Sequence, residues 1–207
     1  MLAQNKAVTH SSCDPDWGTP IELYTTLDAV GLDGNEFDFA LDICADPSNH
    51  KHREWIGPGG LYDDALTYPD WSRYANRAVF MNPPWSRERG VSIVPFVVLA
   101  RSVSELFNIT FVCLYPAAIQ TQWWVAHVWH GAHRIRFIPH RVNFDVSDAM
   151  LSHINNRRMR KGTDPIEKAW NAAGNTSVVV YDGSTPRPMK PDVDYWSYRD
   201  TREQELI

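Results

Sequence analysis

Short apolar runs that end at polar residues or prolines alternate along the chain with segments of helical spacing. The short runs have the length of buried strands. They lie at 37–43, 78–81, 110–115, 134–138 and 176–181. Helical spacing predicts helices at 20–31, 91–107 and 121–129. This alternation favours an α/β fold, with an open, mostly parallel sheet and helices on both faces, in which ligands bind at the carboxyl ends of strands.

The first predicted helix has a clear start. Thr19 is a natural N-cap, and Pro20 suits the first helical position because that position needs no backbone N–H. The helix is expected to end near Gly31. In the second predicted helix, Pro95 is tolerable only in the first turn.

Both ends of the chain are predicted to be tails around a single domain. Residues 1–13 are polar without any period, and residues 183–207 hold three prolines among charged residues. At 207 residues and 43% hydrophobic content, one domain with one core is the expectation. That domain spans 14–182 and carries a basic, polar insert at about 145–175.

Charge and composition narrow the class of protein. A formal net charge of −5 excludes a uniformly basic coat for nucleic acid but is compatible with a local basic patch. The apolar runs are too short to span a membrane, and the first ten residues lack the apolar stretch of a secretory signal. Three scattered cysteines make no disulfide framework. We therefore expect a soluble, reduced, cytoplasmic protein.

The most distinctive motif is Asn82-Pro83-Pro84-Trp85, which directly follows the run 78–81. The Asn82 side-chain oxygen and the Pro83 carbonyl can both accept hydrogen bonds from one NH₂ group, and Trp85 can stack on a flat ring. An exocyclic amine held by two acceptors has its lone pair localised and aimed at an electrophile. The structural alternative is a rigid turn with an anchoring aromatic residue.

Several blocks around this motif decide between the two interpretations. The segments 16–20, 39–46, 63–66 and 82–85 together resemble the phage-type Dam family of DNA adenine N(6) methyltransferases, and the resemblance extends from 14 to about 181. It implies a Rossmann-like methyltransferase fold, S-adenosylmethionine as the cofactor and double-stranded DNA as the partner. It also implies a bacterial host cell and a phage or prophage origin.

The resemblance assigns roles to individual residues. Asn82, Pro83, Pro84 and Trp85 would be catalytic. Trp17, Thr19 and Pro20 would lie near the methionine carboxylate of the cofactor, Asp42 near its positively charged methionine moiety, and Cys44 and Ala45 would line its pocket. Asp64 would accept a hydrogen bond from the adenine amino group of the cofactor, with Asp63 as the competing choice, and Leu66 would also bind the cofactor. The motif ends in Trp85 where Tyr is commoner, and the cofactor strand lacks a Gly-x-Gly turn.

Positive charge is concentrated between residues 134 and 161. This segment has seven Lys and Arg residues and two Asp residues, which gives a local charge of +5. Such a concentration suits phosphate contacts, although a charge run is usually a solvated face. The predicted DNA contacts are Arg87, Arg89, Arg136, Arg141, Arg157, Arg158, Arg160 and Lys161. No metal site is expected, because His127, His130 and His133 are joined by no Cys or carboxylate and metal sites normally need three or four ligands.

The predicted function is methyl transfer from S-adenosylmethionine to the exocyclic amine of adenine in DNA. Because a base inside a duplex cannot reach a buried methyl donor, the target adenine is expected to be flipped out. Two alternatives remain at this point. One is a methyltransferase for another amine, in cytosine, RNA adenine or protein glutamine, and the other is a nucleic-acid-binding module without turnover.

Overall fold

The computed structural model describes residues 17–85, 92–167, 170–173 and 175–199. Its strands are β1 Trp17–Gly18, β2 Phe39–Ile43, β3 Trp55–Ile56, β4 Ala78–Met81, β5 Thr110–Pro116, β6 Arg134–Phe137, β7 Val142–Val146, β8 Trp170–Ala173, β9 Thr176–Asp182 and β10 Asp192–Tyr195. Its α-helices are α1 Ile21–Ala29, α2 Val94–Phe107 and α3 Asp148–Arg160. Two short 3₁₀ helices, Ala65–Thr67 and Trp71–Tyr74, and a π-helix, Trp124–Trp129, complete the described elements.

The strands form two sheets. The central sheet has seven strands in the order β10-β6-β9-β5-β4-β2-β3. β9 is antiparallel to both of its neighbours, and every other pair in this sheet is parallel. A smaller antiparallel sheet has the order β1-β7-β8. The predicted fold class, an open and mostly parallel α/β sheet, is confirmed.

Each face of the central sheet has its own apolar cluster, because side chains alternate across a strand. On one face, α2 and the π-helix bury Phe96 and Trp124 against the sheet. On the other face, α1 and β7 bury Leu23, Leu27 and Phe144. Helices therefore cover both faces of the central sheet.

Several elements that the sequence did not predict are short or polar. β3 has only two residues, and α3 is rich in polar and charged residues, so neither has an apolar period to detect. The basic insert predicted at 145–175 contains α3 and β8. The predicted helix at 121–129 is in fact largely a π-helix.

β10 extends the central sheet with residues from the segment predicted to be a tail. All four of its side chains are exposed, so hydrophobic patterning could not reveal it. It pairs in parallel with β6, and the Trp196 N–H donates to the Phe137 carbonyl at 3.0 Å. At least residues 192–195 thus belong to the folded body.

Arg136 holds β10 in place instead of contacting DNA. Only 4% exposed, its guanidinium donates to Asp33 at 2.7 Å and to Asp192 at 2.6 Å. A buried guanidinium bound to two carboxylates has no surface to offer a phosphate. The predicted DNA contact at Arg136 is therefore wrong, and its role is structural.

Replacing both Asp33 and Asp192 with Asn is expected to lower the free energy of unfolding by about 2 kcal/mol, because Arg136 then keeps a buried charge without a counter-charge. The loss is smaller than for a fully buried pair because the carboxylates are 54% and 65% exposed and water screens them. Urea unfolding measures it. The control is Asp38→Asn, which breaks the exposed pair with Arg77 and should change stability by less than about 0.5 kcal/mol. A double variant as stable as this control would contradict the prediction.

Candidate active site

The carboxyl ends of β2 and β4 lie side by side where the connections of the central sheet change direction. β3 flanks β2 on one side, and β4 flanks it on the other. Ile43 is in register with Met81, so Cys44 and Asn82 leave the sheet next to each other. Open α/β sheets bind ligands in the crevice outside such a switch point.

Asn82 is held by Thr19. The Asn82 side-chain amide nitrogen donates to the Thr19 hydroxyl at 3.1 Å, and Thr19 is only 5% exposed. Because this bond uses the amide nitrogen, the carbonyl oxygen Oδ1 remains as the acceptor of the side chain. The N-cap of α1 is Pro20 and no side chain caps this helix, so the predicted capping role of Thr19 is wrong. Its hydroxyl serves Asn82 instead.

The smaller sheet brings Thr19 to this position. β1 pairs with β7, with Trp17 opposite Val146 and Gly18 opposite Asp145. Thr19 and Pro20 then lead directly from β1 into α1. The opening block of the sequence and the Asn-Pro-Pro-Trp loop therefore meet through a tertiary contact between distant segments.

Trp85 is fixed on β5 and β7. Its indole N–H donates to the Leu114 carbonyl at 3.2 Å, and its ring meets Phe144 edge to face at 5.1 Å between centroids. Pro83 and Pro84 are buried, whereas Trp85 is only half-buried. The loop thus has a rigid backbone and presents one aromatic ring of set orientation.

Asp42 is a buried carboxylate at the end of β2. It is 4% exposed, and its Oδ2 accepts from the Lys51 backbone N–H at 2.7 Å. Burial raises the pKa of Asp42 to about 7, against the opposing effects of the Lys51 hydrogen bond and charge. A cation placed beside this carboxyl would favour its charged form.

Tyr24, which the sequence did not single out, is close enough to Asp42 for the two groups to interact electrostatically. Burial raises the pKa of Tyr24, and the negative charge of Asp42 raises it further, so the two groups are near each other. The Tyr24 hydroxyl is buried without a hydrogen-bond partner among the described residues. In the sequence, Tyr24 is indistinguishable from a core position of α1, because its ring packs on Phe39 and Phe80.

Cys44 makes the turn at the end of β2. Its φ is 69°, in the left-handed region that favours glycine. The backbone N–H groups of Cys44 and Ala45 both donate to the Ile56 carbonyl, at 3.0 and 3.1 Å. Gly57 is required beside them, because a Cβ there would lie 1.8 Å from the Ala45 carbonyl oxygen. The chain therefore turns sharply here without a Gly-x-Gly sequence.

Comparison with protein families gives a match over most of the chain. A family model described as DNA N-6-adenine-methyltransferase (Dam) matches residues 6–180. The chain belongs to the Dam family. This confirms the predicted resemblance, and with it the class of enzyme, a methyltransferase that acts on adenine in DNA. A search of curated proteins finds no match.

The Dam family assignment for Asp64 and Leu66 stays a prediction. Asp64 caps the 3₁₀ helix Ala65–Thr67, and its Oδ1 accepts from the Leu66 backbone N–H at 3.0 Å. Asp64 and Leu66 are half-buried, and the neighbouring Asp63 is exposed. Both carboxylates lie on the segment between β3 and β4. The geometry does not choose between Asp63 and Asp64.

The cations predicted to contact DNA differ in their surroundings. Arg87 and Arg89 lie outside the described residues. The last turn of α3 and the residue after it hold Arg157, Arg158, Arg160 and Lys161, all but Arg158 exposed. Arg158 is half-buried and donates to the Asp164 carbonyl at 2.8 Å. Arg141 is exposed after β6.

The described residues hold neither a cluster of metal-binding side chains nor a membrane-spanning helix. Within them, no group of three or more His, Cys, Asp or Glu residues is arranged to hold a metal ion. No helix in the described ranges has the length and apolar character needed to cross a membrane.

Proposed function

We propose that this Dam-family protein transfers a methyl group from S-adenosylmethionine to N6 of an adenine flipped out of duplex DNA. The observation that carries the proposal is the bond from the Asn82 amide nitrogen to Thr19, which leaves the Asn82 carbonyl oxygen as an acceptor. That acceptor lies at the strand end next to the one that holds the buried carboxylate Asp42. A hydrogen-bond acceptor for an amine and an anionic group for a cation are thus built side by side.

The residues at the end of β2 fit the cofactor. S-adenosylmethionine supplies a methyl group activated on a positively charged sulfonium. Asp42, desolvated and with a raised pKa, gains from a nearby cation because the cation favours its charged form. Around it, the residues proposed to hold the cofactor are Trp17, Thr19, Pro20, Cys44, Ala45, Asp64 and Leu66.

The Asn82 loop activates the amine by position. The Asn82 Oδ1 and the Pro83 carbonyl accept the two hydrogens of the adenine amine, which directs its lone pair toward the methyl carbon. Bound S-adenosylmethionine would supply the methyl group, its sulfur leaving as a neutral thioether as the amine gains the methyl carbon, and the amine would then lose a proton to solvent. Trp85, held by Leu114 and Phe144, stacks on the flipped adenine.

Product analysis tests the proposal. Labelled S-adenosylmethionine is incubated with the protein and unmethylated duplex DNA, with RNA and protein substrates in parallel, and products are read by nucleoside and peptide mass spectrometry. We expect N6-methyladenine in DNA. Methylcytosine, or a methylated RNA or glutamine, would show that the acceptor amine is a different one. No cofactor binding at all would favour a nucleic-acid-binding module without turnover.

Thr19→Val is expected to lower kcat by about tenfold, because the Asn82 amide loses the hydroxyl that orients it and small misplacements at a reacting centre slow the reaction. Thr19→Ser keeps the hydroxyl and should retain most of kcat. Steady-state methyl transfer separates this role from a direct cofactor contact. A rise in the KM for S-adenosylmethionine at unchanged kcat would show that Thr19 acts on the cofactor alone and does not orient Asn82.

A further inference from the structure

Two loops leave the central sheet at the same edge as Asn82, beyond β5 and β9. β5 and β6 are both antiparallel to β9, and β10 is parallel to β6, so β5, β6 and β10 end at one edge with β4. Residues 138–141 follow β6, and residues 196–199 follow β10. DNA that lies across these strand ends and reaches Asn82 would therefore pass both loops.

The two loops bring together His140, Arg141, Tyr198 and Arg199, which we call the basic patch. The Arg199 guanidinium donates to the Arg141 carbonyl at 3.3 Å and lies 5.9 Å from the centre of the Tyr198 ring. The Tyr198 and His140 rings are 5.1 Å apart. Both arginine side chains are exposed. The patch thus combines two exposed arginines with two aromatic rings that are in contact.

Among the described residues, no ion pair offsets the positive charge of the basic patch. Neither loop, 138–141 or 196–199, contains Asp or Glu. No ion pair between described residues includes Arg141 or Arg199. The pKa of His140 is lowered, first by burial and then by the charge of Arg199, so the positive potential of Arg199 reaches the neighbouring loop.

The basic patch shares its apolar support with the Asn82 loop. Trp85, Trp196 and Tyr198 all pack against the cluster that contains Val142 and Phe144. Trp85 touches Phe144 directly, and Trp196 lies beside Tyr198 with 6.2 Å between ring centroids. One apolar cluster therefore sets the position of the proposed base-stacking ring and of the two exposed arginines.

We propose that the basic patch binds the phosphate backbone of DNA beside the flipped adenine, with Arg141 and Arg199 as the phosphate contacts. Guanidinium groups match phosphate oxygens in charge and in their forked geometry. Contacts of this kind hold DNA in register without reading its sequence. The inference rests on the proposed function, and it gives the segment after β10 a role in substrate binding.

The test is the salt dependence of binding to unmethylated duplex DNA, measured by fluorescence anisotropy. Arg141→Gln and Arg199→Gln should each weaken binding several-fold and reduce the slope of log K against log salt by about 0.9, and the double variant by about 1.8. Arg199→Lys keeps the charge and should keep the slope. The control is Arg187→Gln, an exposed arginine paired with Glu105 of α2, which should leave the slope unchanged. Wild-type slopes in both single variants and in the double variant would overturn the proposal.

The binding test and the test of methyl transfer can fail independently, because binding of duplex DNA needs no turnover. Variants with unfolding midpoints equal to that of the wild type are compared. A slope that depends on Arg141 and Arg199, in a protein that yields no N6-methyladenine, would reject the proposed function and retain the patch. Methylated DNA with unchanged slopes would reject the patch alone.

Discussion

Asn82→Ala is expected to reduce kcat for methyl transfer by about 10³-fold, the loss typical of removing one preorganised hydrogen-bonding group from a reacting centre. The variant loses the carbonyl oxygen that would accept from the adenine amine, and also the amide that bonds to Thr19. The loss of that half-buried hydrogen bond should lower the free energy of unfolding by only about 1 kcal/mol. Single-turnover methyl transfer with saturating DNA measures the effect.

Asn82→Asp is the matched variant. It keeps a carboxyl oxygen as the acceptor for the amine, and the Thr19 hydroxyl can donate to the new carboxylate in place of accepting from the amide. We expect it to retain measurable turnover. Calorimetric titration with S-adenosylmethionine should show cofactor affinity close to wild type in both variants. Turnover of Asn82→Ala within tenfold of wild type would remove Asn82 from the mechanism.

Asp42→Asn is expected to stabilise the protein while weakening the cofactor site. The pKa of Asp42 is raised to about 7, so the folded state binds the Asp42 proton more tightly than the unfolded chain does. The contribution of Asp42 to stability is therefore greatest below about pH 4 and declines as pH rises to 7. Asparagine removes this decline. At pH 8 the variant should be more stable by up to about 4 kcal/mol, at 1.36 kcal/mol per pKa unit.

The same variant should bind S-adenosylmethionine about 10- to 100-fold more weakly at pH 8, because a charge-assisted contact is worth about 1.5–3 kcal/mol. Wild-type affinity should rise between pH 6 and 8 as Asp42 loses its proton, and Asp42→Asn should lose this rise. Urea unfolding and calorimetric titration across that pH range measure both effects. Glu36→Gln, which neutralises an exposed carboxylate, is the control. A stability profile of Asp42→Asn parallel to wild type would show that Asp42 does not titrate in this range.

The sequence predicted the strands that bury apolar residues and have candidate functional residues at their ends. The runs that became β2 and β4 are almost wholly buried. β4 stops at Asn82, and β2 carries Asp42 as its last residue but one, so local patterning was enough to place both near strand ends. The hydrogen-bond acceptors of the Asn-Pro-Pro-Trp motif could be predicted from the sequence for a similar reason. Proline restricts its own backbone wherever it occurs, so a local motif carries local geometry.

Contacts between distant segments were beyond local patterning. Thr19 looked like a helix cap because the residues around it favour one, but its hydroxyl meets Asn82, 63 residues away in the chain. Arg136 looked like a DNA contact because it lies in a basic stretch, but it is bound to Asp33, 103 residues away, and to Asp192. Periodicity reports which face of an element is buried and says nothing of what that face meets.

From the sequence alone came the α/β class, the strand ends that carry Asp42 and Asn82, and the acceptor chemistry of the Asn82 loop. These follow from burial and backbone restriction within single segments. Only the tertiary structure decided that Thr19 orients Asn82, that Tyr24 lies near Asp42, and that β10 joins the sheet beside β6. Those contacts arise from the packing of separate elements, where a polar or exposed residue acquires its partner only once the whole chain has folded.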